Sequence, residues 1–296
     1  MLKILITGGS GFIGESLKDF FEWSTDYKIY TPSSKELNLS NSTMVDNFLM
    51  LNQIDVIVHT ANHHFHPRDI NSKDLDLQLN NNITMFFNLL RNIDKVDKLI
   101  YFGSGAEYPR EMWFEKISEN DIGNKIPTDP YGLSKIIMNN YAKNHNKIYN
   151  LRLFGVFGEL DNWRYRFIPN ICVKAIFDLD LVINQNALFD FTYVNDICEV
   201  TNKFITNTYP NGDYNLCSSR ALELIEIANI VKQVSNKDLN LIVNNEKIET
   251  KYGGNNQKLQ NTIGNHEFVN INNSIKIVYD YLKKFKNKIN IDEIAV

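Results

Sequence analysis

The chain opens on an unbroken apolar run at residues 2–6, and similar runs recur through its first half. Residues 28–30, 55–59, 98–102 and 150–154 read as further strands. Their near-continuous apolar character is that of strands buried on both faces of a parallel sheet. Between them, apolar residues fall at helical spacing over 13–23, 43–51, 81–92 and 131–144. Met44, Val45, Phe48 and Leu51 make one such stripe, and Ile83, Phe86, Phe87 and Leu90 another. This alternation predicts a doubly wound parallel α/β sheet. The second half is less regular. It predicts helices over 168–177, 196–206, 222–235 and 276–288, the last with a lysine-rich end that suits a helix C-terminus. No repeat or flexible linker divides the chain. Residues 1–160 are expected to form the sheet domain and 161–296 mainly a smaller α/β lobe. The two interleave, with segments around 185–215 expected to return to the sheet.

Composition narrows the class. The 296 residues are 43% hydrophobic, enough for a large core. The net charge of −4, from 31 basic and 35 acidic residues, lacks the basic footprint of a nucleic-acid or membrane-surface binder. Cys172, Cys198 and Cys217 form no C-x-x-C pair, so neither a disulfide framework nor a zinc site is expected, and no other metal site is assigned. The first apolar run is too short for a secretory signal, and no run approaches the roughly 20 apolar residues of a membrane span. A cytoplasmic protein is expected. The 41 asparagines read as base-composition drift rather than function.

The first strand runs into Thr7-Gly8-Gly9-Ser10-Gly11-Phe12-Ile13-Gly14, with glycines spaced G-x-x-G-x-x-G. The first permits a tight turn, the second a close approach of backbone to a pyrophosphate, and the third helix-on-strand packing. A strand before and a helix after make this a Rossmann-type dinucleotide site, with phosphate at the helix N-terminus. NAD binders usually place an acid just after the second strand. Here Ser33, Ser34 and Lys35 precede the first acid, Glu36. Hydroxyls and a lysine suit a 2′-phosphate, so NADP(H) is favoured over NAD(H).

Tyr131 and Lys135 form Y-x-x-x-K at a helix start, on one helix face. A free phenol titrates near pH 10, and a neighbouring ammonium favours the phenolate. Tyr131 is then able to exchange a proton with a carbonyl or alcohol oxygen as hydride moves. Ser104, after the strand at 98–102, stands where open parallel sheets bind ligands and is positioned to hydrogen-bond the same oxygen. His63, His64 and His66 follow the strand at 55–59 and read as loop residues, with a place at the edge of the site as the alternative and no metal site.

Together these motifs resemble the extended short-chain dehydrogenase/reductases, the NAD-dependent epimerase/dehydratase family. Asp55–Ala61, Leu151–Gly158 and Asp190–Asp196 carry further matches. The resemblance implies nucleotide-sugar chemistry, a diphosphate-sugar substrate held by the C-terminal lobe, and a homodimer formed through the helices at 81–92 and 131–144. It assigns Ser104, Tyr131 and Lys135 to catalysis. To the cofactor it assigns Gly8, Gly11, Phe12, Ile13, Gly14, Ser33, Ser34, Lys35, Asn38, Leu39, Ala61, Leu153 and the Tyr131–Lys135 pair. To the substrate it assigns Ser104, Gly105, Ala106, Phe154, Arg166 and Lys174, with Trp163 and Arg164 as further candidates. The 4,6-dehydratases carry an Asp-Glu pair where this chain has Gly105 and Ala106, so dehydration is not expected. The stretch from Ser34 to Leu39 is similar to GDP-fucose synthase-like 4-ketoreductases. Their epimerising Cys and His are matched here by Ala106 and Arg166, neither a proton shuttle near pH 7. The expectation is NADPH-dependent reduction of a 4-keto sugar without epimerisation, for surface polysaccharide synthesis. A 4-epimerase with tightly bound NAD shares the same trio and stays open, as does a non-catalytic cofactor binder.

Overall fold

The computed structural model of the protein describes residues 1–63 and 73–294. The first half runs β1 (Leu2–Thr7), α1 (Phe12–Phe21), β2 (Tyr27–Tyr30), α2 (Ser42–Asn52), β3 (Val56–His59), α3 (Lys73–Leu90), β4 (Lys98–Ser104), α4 (Pro130–Ala142) and β5 (Ile148–Leu153). There follow β6 (Gly155–Phe157), α5 (Phe167–Ile176), β7 (Leu181–Ile183), β8 (Leu188–Tyr193), α6 (Val194–Thr206) and β9 (Gly212–Leu216). The chain continues through β10 (Ala221–Glu223), α7 (Leu224–Ser235), β11 (Leu241–Val243), β12 (Lys251–Tyr252), α8 (Gln257–Ile263) and α9 (Ile271–Lys284).

Six strands form a parallel sheet in the order β2-β1-β3-β4-β5-β9. Successive strand residues point to opposite faces. Ile4, Ile6, Val58, Ile100 and Leu151 pack on one face with Leu17 of α1 and Ile197 and Phe204 of α6. Leu5, Ile57, Leu99 and Ile148 pack on the other with Val45 of α2, Phe86 of α3 and Met138 of α4. Helices on both faces are what the near-continuous apolar strands require, and the doubly wound α/β fold is borne out. A separate core joins Ile171 and Val173 of α5, Ile227 and Val231 of α7, and Ile275 and Val278 of α9. Beside it β8 pairs with β6, β10 and β12. The loop before α9 is tied to α6, where buried Asp196 accepts from Val269 N (3.2 Å) and lies 3.0 Å from His266 Nε2.

Three helices differ from their predicted spans. α3 begins eight residues before 81, because leucines at 75, 77 and 79 alternate with polar residues and mimic a strand period. α7 begins at Leu224, after β10 has paired with β8. α9 begins at Ile271, where the Asn270 side chain accepts from Asn272 N at 2.9 Å and caps the helix. Among the described residues no helix is long and apolar enough to cross a membrane.

Candidate active site

The carboxyl ends of β1, β3, β4 and β5 open into one cleft of about 1090 Å³. Gly8 turns the chain out of β1 with φ +70°, which a side chain would strain. A Cβ on Gly14 would lie 2.2 Å from Gly8 O, so the turn and α1 are in contact there. A Cβ on Gly11 would meet only Gly8 O, at 3.4 Å, leaving that backbone open. Gly11 is the N-cap of α1 and supplies no side-chain cap, so the first-turn amides of Phe12, Ile13 and Gly14 have no intrahelical partner. All of these residues line the cleft, and they fit a dinucleotide diphosphate.

The adenosine side departs from expectation. Ser33 N and Oγ both donate to Glu36 Oε2, each at 2.8 Å, so that hydroxyl is already committed to a carboxylate. These bonds hold the exposed Glu36 carboxyl below its usual range. Ser34, Lys35 and Asn38 are exposed and, like Ser33, do not line the cleft. The Leu39 side chain is buried in the core with Val45 and Phe86, and its carbonyl accepts from Asn88 Nδ2. Ser40 is the residue of this stretch that reaches the cleft, because Leu37 and Leu39 turn inward. Ala61 and Leu153 line it as expected.

Ser104, Tyr131 and Lys135 converge in the cleft. Asp129 Oδ1 accepts from Gly132 N at 2.8 Å and Pro130 takes the first helical position, which fixes where α4 begins and so where Tyr131 sits. Lys135 is buried, and its Nζ donates to Phe102 O at 2.9 Å and lies 5.7 Å from the Tyr131 ring centroid. Burial pulls its pKa down to about 8, against the opposing charge of Glu107. Tyr131 also departs from expectation. Burial raises its phenol pKa, while the approach of Ser104 and the charge of Arg166 oppose the rise. Burial therefore favours the protonated phenol. Beneath it, buried His59 contacts Thr7 Oγ1 at 2.8 Å and is kept neutral, its pKa pushed to about 3 by burial and by Lys135.

Ser104 is held from below. Its hydroxyl accepts from Ala106 N at 3.1 Å, and its amide donates to Glu107 Oε1 at 3.1 Å. The fully buried Glu107 accepts from Arg152 Nε and Nη2 at 2.9 and 2.7 Å, and Arg152 also donates to Asp213 of β9 at 2.7 Å. A Cβ on Gly103 would fall 2.2 Å from Glu107 Oε1, so only glycine leaves room for this carboxylate.

On the substrate side, Ala106, Phe154 and Arg166 line the cleft, but Gly105 and Lys174 do not. Tyr252 covers Gly105, and Lys174 is buried in α5. Trp163 packs against the lobe core with Arg164 over its ring at 4.5 Å, and Arg164 is ion-paired to Glu293. Both are therefore occupied away from the cleft. His63 lines it, with its amide donating to Asn82 Oδ1 at 2.7 Å. His64 and His66 lie outside the described residues. Sequence reasoning missed Asp161, Trp113 and Tyr252, which also line the cleft. Asp161 is buried 3.7 Å from Arg166 Nε, and burial raises its pKa to about 6. None of the three lies in a spacing motif; distant segments bring them together.

The sheet, the glycine loop and the cleft at the strand ends define a dinucleotide-binding α/β protein. The chain belongs to the NAD dependent epimerase/dehydratase family, whose model matches residues 4–217. It is 27% identical to GDP-6-deoxy-D-talose 4-dehydrogenase of Aggregatibacter actinomycetemcomitans, over 94% of this chain and 97% of that one. Its fold matches UDP-glucose 4-epimerase of Thermotoga maritima with a TM-score of 0.81 at 18% identity, over 96% and 99% of the two chains. It also matches a GDP-mannoheptose C4 reductase of Campylobacter jejuni, solved with NADP, with a TM-score of 0.81 at 18% identity over 95% and 98%.

Proposed function

We propose that this protein reduces the C4 ketone of a nucleotide-activated sugar with NADPH, without epimerising C3 or C5, in the synthesis of surface polysaccharide sugars. One observation carries the reading: Ser104, Tyr131 and Lys135 share a cleft with the glycine loop. Burial favours the protonated Tyr131 phenol, which suits a reduction that consumes one proton. The names of two similar proteins, a C4 dehydrogenase and a C4 reductase, point to the same carbon.

NADPH, when bound on the Gly8–Gly14 loop, supplies the hydride. Ser104 Oγ–H polarises the ketone. Tyr131 gives its phenolic proton to O4 as C4 becomes tetrahedral, and the charged Lys135 stabilises the phenolate left behind. Arg166 offers its guanidinium to the substrate diphosphate. Lys35, exposed and outside the cleft lining, is assigned to the 2′-phosphate on its charge and its place after β2. The protein is proposed to be cytoplasmic and to dimerise through α3 and α4, where Phe87 and Tyr141 meet edge to face and Leu77 and Tyr141 stay exposed.

A second reading, tightly held NAD in a 4-epimerase, uses the same Ser104, Tyr131 and Lys135, and a UDP-glucose 4-epimerase shares the fold. The test is to supply purified protein with NADPH and a panel of 4-keto nucleotide sugars and to follow nicotinamide absorbance. Oxidation of NADPH with one of them is expected. No oxidation with any, and NAD retained through purification, would overturn the reductase reading in favour of the epimerase.

A further inference from the structure

A second phenol reaches the reacting end of the cleft from a part of the chain with no motif. Tyr252 lies in the two-residue strand β12, which pairs in parallel with β8. Its ring is fixed among aromatic neighbours, with centroids 4.4 Å from Trp113, 5.2 Å from Phe154 and 5.5 Å from Phe189. Its hydroxyl lies against Gly105, only 2.3 Å from where a Cβ on that residue would stand. Gly105 directly follows Ser104, so any side chain there would displace the phenol. Tyr252 and Tyr131 both approach the Ser104 hydroxyl. Burial pushes the Tyr252 phenol well above its ordinary pKa, so it remains a hydrogen-bond donor across the working pH range.

Donor and acceptor counting at Ser104 gives this arrangement a function. A serine hydroxyl has one proton and two acceptor positions. Ala106 N fills one acceptor position at 3.1 Å. A Tyr252 O–H donated to Ser104 Oγ would fill the other. In the reduction Tyr131 acts as a donor as well, which leaves the Ser104 proton for the acceptor that enters the cleft.

We propose that Tyr252 is a positioning residue for the reduction: it donates to Ser104 Oγ and so commits the Ser104 proton to the ketone oxygen, while its ring beside Trp113 and Phe154 walls the sugar. This rests on the reductase reading of the same cleft.

The experiment is a double-mutant cycle on the holoenzyme with Tyr252→Phe and Ser104→Ala, using whichever keto sugar the wild type turns over. If the wild type oxidises NADPH with none, the reductase reading itself fails and the cycle is not reached. Tyr252→Phe keeps the ring and its packing, so the melting temperature and NADPH affinity should match the wild type. Its kcat should fall about tenfold, the size of one ordered hydrogen bond at the reacting atom. In the Ser104→Ala background the same change should cost less than twofold, because the group through which it acts is gone. Equal losses in both backgrounds, a loss confined to KM, or no loss in the wild type would each overturn the proposal.

Discussion

Tyr131 illustrates how a local motif and its surroundings divide the work. The Y-x-x-x-K spacing places phenol and ammonium on one face of α4, and that is set by helix geometry alone. The direction of the phenol's pKa is set by burial, which no spacing encodes, and here it opposes the simple expectation of a lysine-activated phenolate. Tyr131→Phe should lower kcat by about 10²–10⁴-fold while leaving NADPH binding intact, as read by steady-state rates and cofactor titration. Asp161 carries a second residue-scale consequence. Its carboxyl has an ordinary pKa of 3.8 that is raised to about 6 in the fold. Between those values the folded chain binds more protons than the unfolded one, so stability falls as pH rises from about 4 to about 6. The contribution is on the order of 2–3 kcal/mol, present below the window and lost above it. Asp161→Asn should flatten this slope in urea titrations across that window, and an unchanged slope would contradict it. Tyr131, Lys135 and Ser104 were legible in the sequence because each lies in a short local pattern. Asp161 and Tyr252 were not, because what makes them notable is the company that the tertiary fold gives them.

Elements place these residues through one buried charge cluster. Glu107 follows β4, Arg152 lies in β5 and Asp213 in β9, and their hydrogen bonds tie three adjacent strands together directly below Ser104. Removing Glu107 leaves the buried Arg152 with Asp213 as its one carboxylate partner among the described residues, at a cost of up to about 3–5 kcal/mol. Glu107→Ala should therefore lower unfolding free energy within that bound in urea melts, and Glu107→Gln by less, since its amide oxygen still accepts from Ser104 N. No change in either would remove the cluster from the account. In the sequence, Glu107 is notable only as an acid one place from where dehydratases carry theirs. The capping-box geometry that turns it toward Ser104 N and Arg152 needs the fold. The main strands were readable because burial on both faces makes them continuously apolar. The two- and three-residue strands β10, β11 and β12 were not, because so few residues carry no period, yet β12 is what delivers Tyr252.

At the scale of the whole molecule, the proposed function asks a chain of net charge −4 to accommodate ligands that are themselves anionic diphosphates. Attraction is therefore local: uncapped amides at the start of α1, then Arg166 at the start of α5. The 41 asparagines gain meaning on the same view. Asn150 and Asn215 fill the buried cluster, Asn41 and Asn270 cap helices, and Asn240, Asn244 and Asn245 bond side chains flanking β7. The fold puts these amides to structural use. The account as a whole requires that hydride pass to C4 and that C3 and C5 keep their protons. NADPH deuterated at its transferring position, followed by NMR of the product sugar, tests this most directly. The account predicts one deuterium, at C4, and in a parallel run in heavy water no exchange at C3 or C5. A sugar product without deuterium at C4, or with solvent deuterium at C3 or C5, would contradict it.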